Sequence, residues 1–457
     1  MLKPAAAIEQ VKRLHSIHLN ERASFDLARQ YFKGVQARPA AIPSGSPREV
    51  QVMAQSSRVN VVQIIVNSLV QSMFVSGFRA RREADNADVW KIWQANRLDA
   101  RQTAIHRAVF QYGVAYATVL SGKPEPVIRG KSPRSMTTLY GEDPDWPMWA
   151  LERCGNGLWR LYDDEATYYV ELENETDKGS FISAAEHGLG VCPVVRYLDE
   201  DDLDADDEVE SADKARGGVR PPLRGQVTPT MSVQDQIDMT TFDLQVAQHF
   251  GAFRQRYIIG WTASSEEELL KAAASRIWTF KGDPDDDDGP GPGDDEPKIE
   301  LGEFGQTDLK GYLESREASL RHAATLSQTP AHELTGQLIN MGAEALAAAE
   351  KGRDRKVDER QTVTGESHEQ VLWLSGRAKG VEVPADAQVR WKDTSAMSFA
   401  ARVDGLGKMA TMLEIPVEAL WERVPDVSDQ DLALWKQARD AGSSFQQYAE
   451  LLERQAA

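Results

Sequence analysis

Carboxylates are the most abundant chemistry-bearing groups in this 457-residue chain, which holds 71 Asp and Glu against 52 Lys and Arg. Clustered carboxylates can hold divalent metals for hydrolysis, and the run from Asp283 to Pro297 invites a calcium reading. An EF-hand loop needs Gly at position six and Glu at position twelve. Counted from Asp283, Gly289 falls one place late, Asp294 stands where Glu should, and Pro290 and Pro292 spoil the loop. It reads as a solvated loop. His15 and His18 lie one helical turn apart, a spacing zinc can use, but no third ligand stands near them, and they read as surface histidines. Cys154 and Cys192 lack metal-type spacing and cannot build a disulfide framework; they read as buried or free thiols of a reducing compartment. HExxH, GxSxG and the GxxxxGK phosphate loop are absent, so the chain is not itself an ATP-driven motor. No metal and no cofactor is expected. Trp90, Trp93, Phe110, Tyr112 and Tyr116 could stack on bases, but at helical spacing they read as core.

The formal net charge of -19 argues against a broad basic face that grips nucleic acid by neutralising phosphates. Any meeting with DNA should be weak or confined to a few points. The length predicts two to four structural units. The N-terminus has no long apolar region of the signal-peptide kind. The best apolar run, Val59 to Val70, is broken by Asn60, Gln63, Asn67 and Ser68, short of the roughly 20 residues a membrane span needs. The expectation is a soluble chain made in the cytoplasm.

The elements that would position these groups are α+β and mostly helical. Helical spacing covers 5–35, ended by Pro39, Pro43 and Pro47, then 57–73, Asp85 to Asn96, and Asp99 to Tyr112 with Asp99 as N-cap and Gly113 as stop. Val114 to Leu120 reads as a strand. Over 124–200, alternating β-branched and aromatic runs separated by turns predict an antiparallel insert. The run 199–210, with nine acids in twelve positions, should repel itself and stay solvated. Further on, 255–306 reads as a small α+β module with a helix at Ser265 to Ala274. Residues 307–327 read as a helix capped by Thr307, 342–373 as a long charged helix, Val381 to Trp391 as strand, and 399–457 as helical.

The helix from Ser232 to Phe250 carries two stripes. Val233, Ile237, Thr240, Leu244 and Ala247 form one; Met239, Phe242, Val246 and Phe250 form the other. At 100° per residue they lie about 200° apart. A surface helix needs one apolar stripe; two stripes imply two partners. Either the helix is central in one bundle, or it is wedged between copies of the chain in a ring.

Several segments, in order along the chain, together resemble the portal family of long-tailed phages in its actinobacteriophage branch. They are RVNVVQIIVNSLVQSMFVSGFRA, ADVWKIWQANRLDARQTAIHRAVFQYGVAYATV, Ser232 to Asp238, LTGQLINMGAEALAAAEKG, and VRWKDTSAMSFAARVDGLGKM with LEIPVEALWERV following. The resemblance implies a portal fold. Residues 1–50 would be an N-terminal helical arm, 51–231 a wing with its β-rich insert at about 114–200, and 232–252 a first stem helix. Residues 253–306 would be a clip, 307–327 a second stem helix, 328–341 a tunnel loop, 342–398 a long helix and return to the wing, and 399–457 a crown. It also implies a dodecameric ring at one capsid vertex. The expected partners are viral double-stranded DNA, the terminase large subunit, a head-tail adaptor, the major capsid protein and a scaffold. No membrane is expected. Gly336, Gln337 and Asn340 become candidates for the channel, able to meet phosphates without adding charge. Arg254 and Arg256 would touch phosphates or pair with the stem helix's aspartates. Ile237, Met239, Phe242, Leu244, Val246 and Phe250 would form the subunit interface. The rival reading is a metal-dependent nuclease or head-maturation enzyme of a phage; an adaptor or tail-tube ring is disfavoured by length.

Overall fold

In the computed structural model, α1 (Pro4–Lys33) opens on Pro4 near N1, where a missing N–H costs nothing, and ends at Gly34 in the left-handed region (φ 66°). Its stripe Ala7, Val11, Leu14, His18, Phe25, Ala28 and Phe32 is buried throughout. The described residues are 1–37, 45–79, 87–173, 178–200, 224–251, 256–259, 277–280, 300–303, 308–336, 343–392, 399–421 and short stretches between 423 and 441. They fall into two units, 1–341 with 349–393, and 342–348 with 394–457.

In the first unit α2 (Arg48–Ser56) and α3 (Val61–Gln71) follow α1. The spacing did not predict α2. Asn60 caps α3, its side chain accepting from Gln63 N. Then come β1 (Val75–Arg79), α4 (Ala87–Ala95) and α5 (Leu98–Tyr112). Gly113 stops α5 at φ 86°, and a Cβ there would stand 2.8 Å from the Arg224 backbone. Asp99 is not the cap: Arg97 holds that place in the left-handed region, and Asp99 instead accepts the Trp93 indole N–H at 2.8 Å.

The runs read as strands pair as two antiparallel sheets. β2 (Val114–Leu120) lies between β3 (Val127–Lys131) and β9 (Val194–Leu198). β4 (Met136–Tyr140), β5 (Pro147–Gly155), β6 (Leu158–Tyr162), β7 (Ala166–Glu173) and β8 (Lys178–Glu186) form a five-stranded meander in chain order. A third sheet pairs β10 (Arg256–Ile259) with β11 (Ile277–Phe280) in parallel and with β12 (Glu300–Glu303) antiparallel. Four helices follow or flank it: α6 (Met231–Gly251), α7 (Lys310–Ser327), α8 (Ala331–Thr335) and α9 (Ala343–Lys379). β13 (Gln388–Trp391) returns to pair with β1. In the second unit, α10 (Phe399–Met412) and α11 (Val417–Trp421) are described; the Trp421 and Trp435 rings meet edge-on at 6.0 Å, and Arg439 pairs with Glu418 at 2.5 Å.

The first unit has three apolar clusters. The largest gathers α3, α4, α5, the β2 sheet and the C-terminal half of α9, with Phe25, Ala28 and Phe32 of α1. Trp93, Phe110, Tyr112 and Tyr116 are buried in it, and Trp90 stacks on Trp93. The second seats Ala7, Val11, Leu14 and Ile17 of α1 on the five-stranded sheet. The third joins α3, α6, α7 and α8.

Two expectations fail here. His15 and His18 are not on the surface; they are 5% and 1% exposed, with their rings 4.7 and 6.0 Å from that of Trp159. Position 18 belongs to the buried stripe of α1, so helix spacing overrides side-chain polarity. Asp199, read as the start of a solvated run, is 1% exposed at the end of β9. Residues 201–210, 265–274 and 283–297 lie outside the described residues. Both cysteines are free, Cys154 exposed and Cys192 buried.

Candidate functional site

α6 divides into three faces, and each face follows from the helical spacing of its residues. Val233, Ile237 and Leu244 are 6%, 0% and 5% exposed. Val233 and Ile237 pack on Val61 and Ile65 of α3, Ala323 and Ala324 of α7, and Leu334 of α8. The first stripe is therefore taken up inside the chain. Ile237 and Leu244, expected at a subunit interface, are internal. The reason is that α7 returns beside α6 and α3 lies under its start.

A polar face separates the stripes, and periodicity of apolar residues did not find it. Gln234 and Asp238, one turn apart, hold the entry to α3. The Gln234 side-chain carbonyl accepts from Val61 N and Val62 N at 3.0 and 3.3 Å, and its amide donates to Val59 O and to Asp238. Asp238 accepts from Val59 N at 3.0 Å and from the Gln36 amide at 2.8 Å. Acceptors at a helix N-terminus satisfy free amides and meet the positive end of its dipole. Burial raises the Asp238 carboxyl, and these donors oppose the rise. Asp235 accepts from the Tyr31 hydroxyl. Two of the helix's aspartates are thus used within the chain, while Asp243 is exposed.

The third face holds the second stripe. Met239, Phe242 and Val246 are partly exposed between exposed Asp235, Gln236 and Asp243. The side chain of Phe250 lies outside what is described, as does that of Arg256, whose backbone pairs with Ile277 and Glu303. Arg254, Gln337 and Asn340 fall outside the described residues.

α7 runs back along α6 and ends at Gln328, in the left-handed region at φ 54°. Pro330 starts α8, and Gly336 closes it at φ 68°, its N–H donating to His332 O at 2.9 Å. This turn is gripped by α9. Arg353, Lys356 and Arg360 stand at i, i+3 and i+7, one face of the helix. The Arg353 guanidinium donates to Glu333 of α8 at 2.6 Å and lies 3.3 Å from Glu350. The Lys356 ammonium donates to Ser327 O at 2.9 Å and to the Gln226 side chain. Arg360 pairs with Asp199 at 2.8 Å and with Glu200. Gln226 also donates to Asp199 at 2.6 Å, which closes the network. Burial lowers Lys356 and pushes Asp199 up to about 6, the latter against the pull of Arg360 and Gln226. The sequence showed this stretch as a charged helix; its spacing held the signal, but a charge run alone reads as solvated.

Two turns on, the same helix enters the main core. The His368 ring meets His106 of α5 nitrogen to nitrogen at 2.8 Å and the Tyr197 hydroxyl of β9 at 3.0 Å. Burial lowers His106 to about 4; burial and then His106 lower His368 well below its usual value. One helix therefore contacts the α7–α8 turn, the end of β9 and α5 in succession. Among the described residues no group of three or more His, Cys, Asp and Glu is placed to hold a metal ion, and no helix is long and apolar enough to cross a membrane.

A family model described as phage portal protein, SPP1 Gp6-like, matches residues 12–444. The portal protein of Mycobacterium phage L5 is 26% identical over 448 residues, covering 90% of this chain and 85% of that protein. The portal protein of Mycobacterium phage D29 is 26% identical over 406 residues, covering 82% and 76%. Among solved structures, a chain of the virion of a native gene transfer agent particle aligns with a TM-score of 0.48 at 13% identity, covering 84% of this chain and 94% of that one.

Proposed function

The chain belongs to the SPP1 Gp6-like family of phage portal proteins, and from that premise we propose that it assembles as a dodecameric ring at one capsid vertex, the channel through which double-stranded DNA is packed and later ejected. In this reading 51–231 and 342–398 form the wing, and 1–50 the arm laid against it. Residues 232–252 and 307–327 are the stem, 253–306 the clip, 328–341 the tunnel loop and 399–457 the crown. The clip docks the terminase large subunit during packaging and the head-tail adaptor afterwards. The major capsid protein and a scaffold surround the wing. ATP hydrolysis belongs to the terminase, and the chain does no chemistry of its own.

The observation that carries the ring is the third face of α6. Met239, Phe242 and Val246 keep partial exposure on the side away from α7, an apolar strip flanked by acids that a neighbouring copy would cover. A ring closes such heterologous contacts on themselves. The interface is accordingly Met239, Phe242, Val246 and Phe250, with Ile237 and Leu244 supporting it from within. Gly336, Gln337 and Asn340 face the duplex, and Arg254 and Arg256 touch phosphates or the neighbour's Asp243. The net charge of -19 suits a channel whose cargo must slide, because strong phosphate binding would stall it.

Native mass measurement and negative-stain images of the purified chain test the reading. A ring with a central hole is expected. A monomer at every salt concentration tried would overturn it.

A further inference from the structure

We infer that Arg353 is a positioning residue for DNA passage: by clamping Glu333, it fixes α8, the helix from which the proposed channel segment departs. This rests on the reading of residues 328–341 as the channel loop.

The argument begins with α8. A helix of five residues cannot hold itself in water, because nucleation costs more than so few hydrogen bonds return. Its direction must come from what it touches. On one side Leu334, 9% exposed, enters the cluster of Val61, Ile237 and Ala323. An apolar contact of this kind fixes depth but is non-directional. Direction comes from the other side, where the Arg353 guanidinium bridges Glu333 at 2.6 Å and Glu350 at 3.3 Å. A planar fork between two carboxylates is orientation-specific in a way a lysine is not. Arg353 and Glu333 are 14% and 22% exposed, so solvent screens the pair only in part. Glu350 is itself within 4.0 Å of His332, the residue preceding Glu333.

The clamp acts where direction matters most. Three residues beyond Glu333 stands Gly336, whose left-handed backbone turns the chain into the loop. The opposite end of the same turn is tied by the next cation of α9: Lys356 holds Ser327 O, the final carbonyl of α7. Arg353 differs from Lys356 in that it touches side chains only, so its removal frees α8 without unpairing a buried carbonyl.

The test compares Arg353→Gln, Glu333→Gln, the double variant and Arg353→Lys in the full chain. It reads amide hydrogen exchange and the DNA content of particles made with each. In both single variants, amides of 331–336 should exchange on the order of tenfold faster, the double variant should be no faster than either, and Arg353→Lys should recover part of the protection. Amides of 310–327 should be unchanged, and the yield of DNA-filled particles should fall with Arg353→Gln and recover in part with Arg353→Lys. Unchanged exchange in Arg353→Gln overturns the inference. So does an equal rise along 310–327, which would make Arg353 a general stabiliser, and so does faster exchange at 331–336 with DNA content untouched. A wild-type chain that forms no ring, with protection still lost in both single variants, upholds the clamp and sinks the channel reading instead.

Discussion

Arg360 of α9 and Asp199 of β9 meet at 2.8 Å with 4% and 1% of their side chains exposed. A buried pair of this kind gains little net stability over apolar replacements, but removing one partner strands a charge. Because Glu200 and Glu359 would still pair with Arg360, Asp199→Ala should cost less than a fully stranded charge, about 1–3 kcal/mol, read as a lowered denaturant midpoint. Asp199→Leu combined with Arg360→Met should recover most of that loss. Equal destabilisation by the single and the double variant would show that the pair is not coupled.

In the proposed ring the two stripes of α6 would separate folding from assembly. Ile237→Ala should cost about 2–5 kcal/mol, because it opens a cavity among α3, α6 and α7. Phe242→Asp should cost the isolated chain less than Ile237→Ala does, since Phe242 is partly exposed where Ile237 is fully buried, and should abolish the ring in native mass spectra. Rings that persist with Phe242→Asp and Met239→Asp together would remove this face from the interface.

Gln234 offers a sharper probe of how α6 is fastened. Gln234→Ala leaves Val61 N and Val62 N without their side-chain acceptor and should cost about 1–3 kcal/mol. Gln234→Glu should do no better: it keeps an acceptor but loses both donors and faces Asp238. Thermal unfolding of the two variants side by side decides the matter.

His18, His106 and His368 make stability fall in mild acid. Burial is the first cause in each, and it holds His18 and His106 at about 4 when folded, against 6.5 when unfolded. The unfolded chain therefore binds more protons between those values. The contribution is whole above pH 6.5 and is lost as pH falls toward 4. Each of these two should weaken the fold by about 2 kcal/mol at pH 5. Asp199, raised to about 6, runs the other way: its contribution is present below 3.8 and lost as pH rises through 6. A single replacement isolates the sign. His18→Leu removes two buried ring nitrogens that have no hydrogen-bond partner, so it should be neutral or stabilising at pH 7.5 and should shrink the drop between pH 7.5 and pH 5. An unchanged or larger drop in unfolding midpoint would contradict the assignment.

Local signals carried far in this chain. Gly34 and Asn60 act locally, though the prolines beyond the first helix and the apolar run after Asn60 draw the reading away from them. Gly113 acts through its own backbone, so its role as a helix stop is visible in a few adjacent letters. The aromatic set around Trp93 reads as core for the same reason. Polar burial is different. Asp199 meets Arg360, Gln234 meets the start of α3, and Gln226 meets Lys356, each across more than a hundred residues. No window of sequence contains both partners, so a charge or amide on such a face looks solvated. His18 lies between these cases: the stripe Val11, Leu14, His18, Phe25 was present in the letters, but the type of the residue argued against its position. The faces of α6 divide in the same way. Two apolar stripes were legible, yet only the return of α7 determines which of them the chain keeps for itself.

α1 is about 45 Å long at 1.5 Å per residue, and it serves two clusters in turn: Ala7 to Ile17 under the five-stranded sheet, Phe25 to Phe32 in the main core. The sheet cannot tip against that core without bending an unbroken helix, so the two behave as one stiff paddle. β8, an edge strand of the meander, is thereby tied through α1 to the cluster that holds α5.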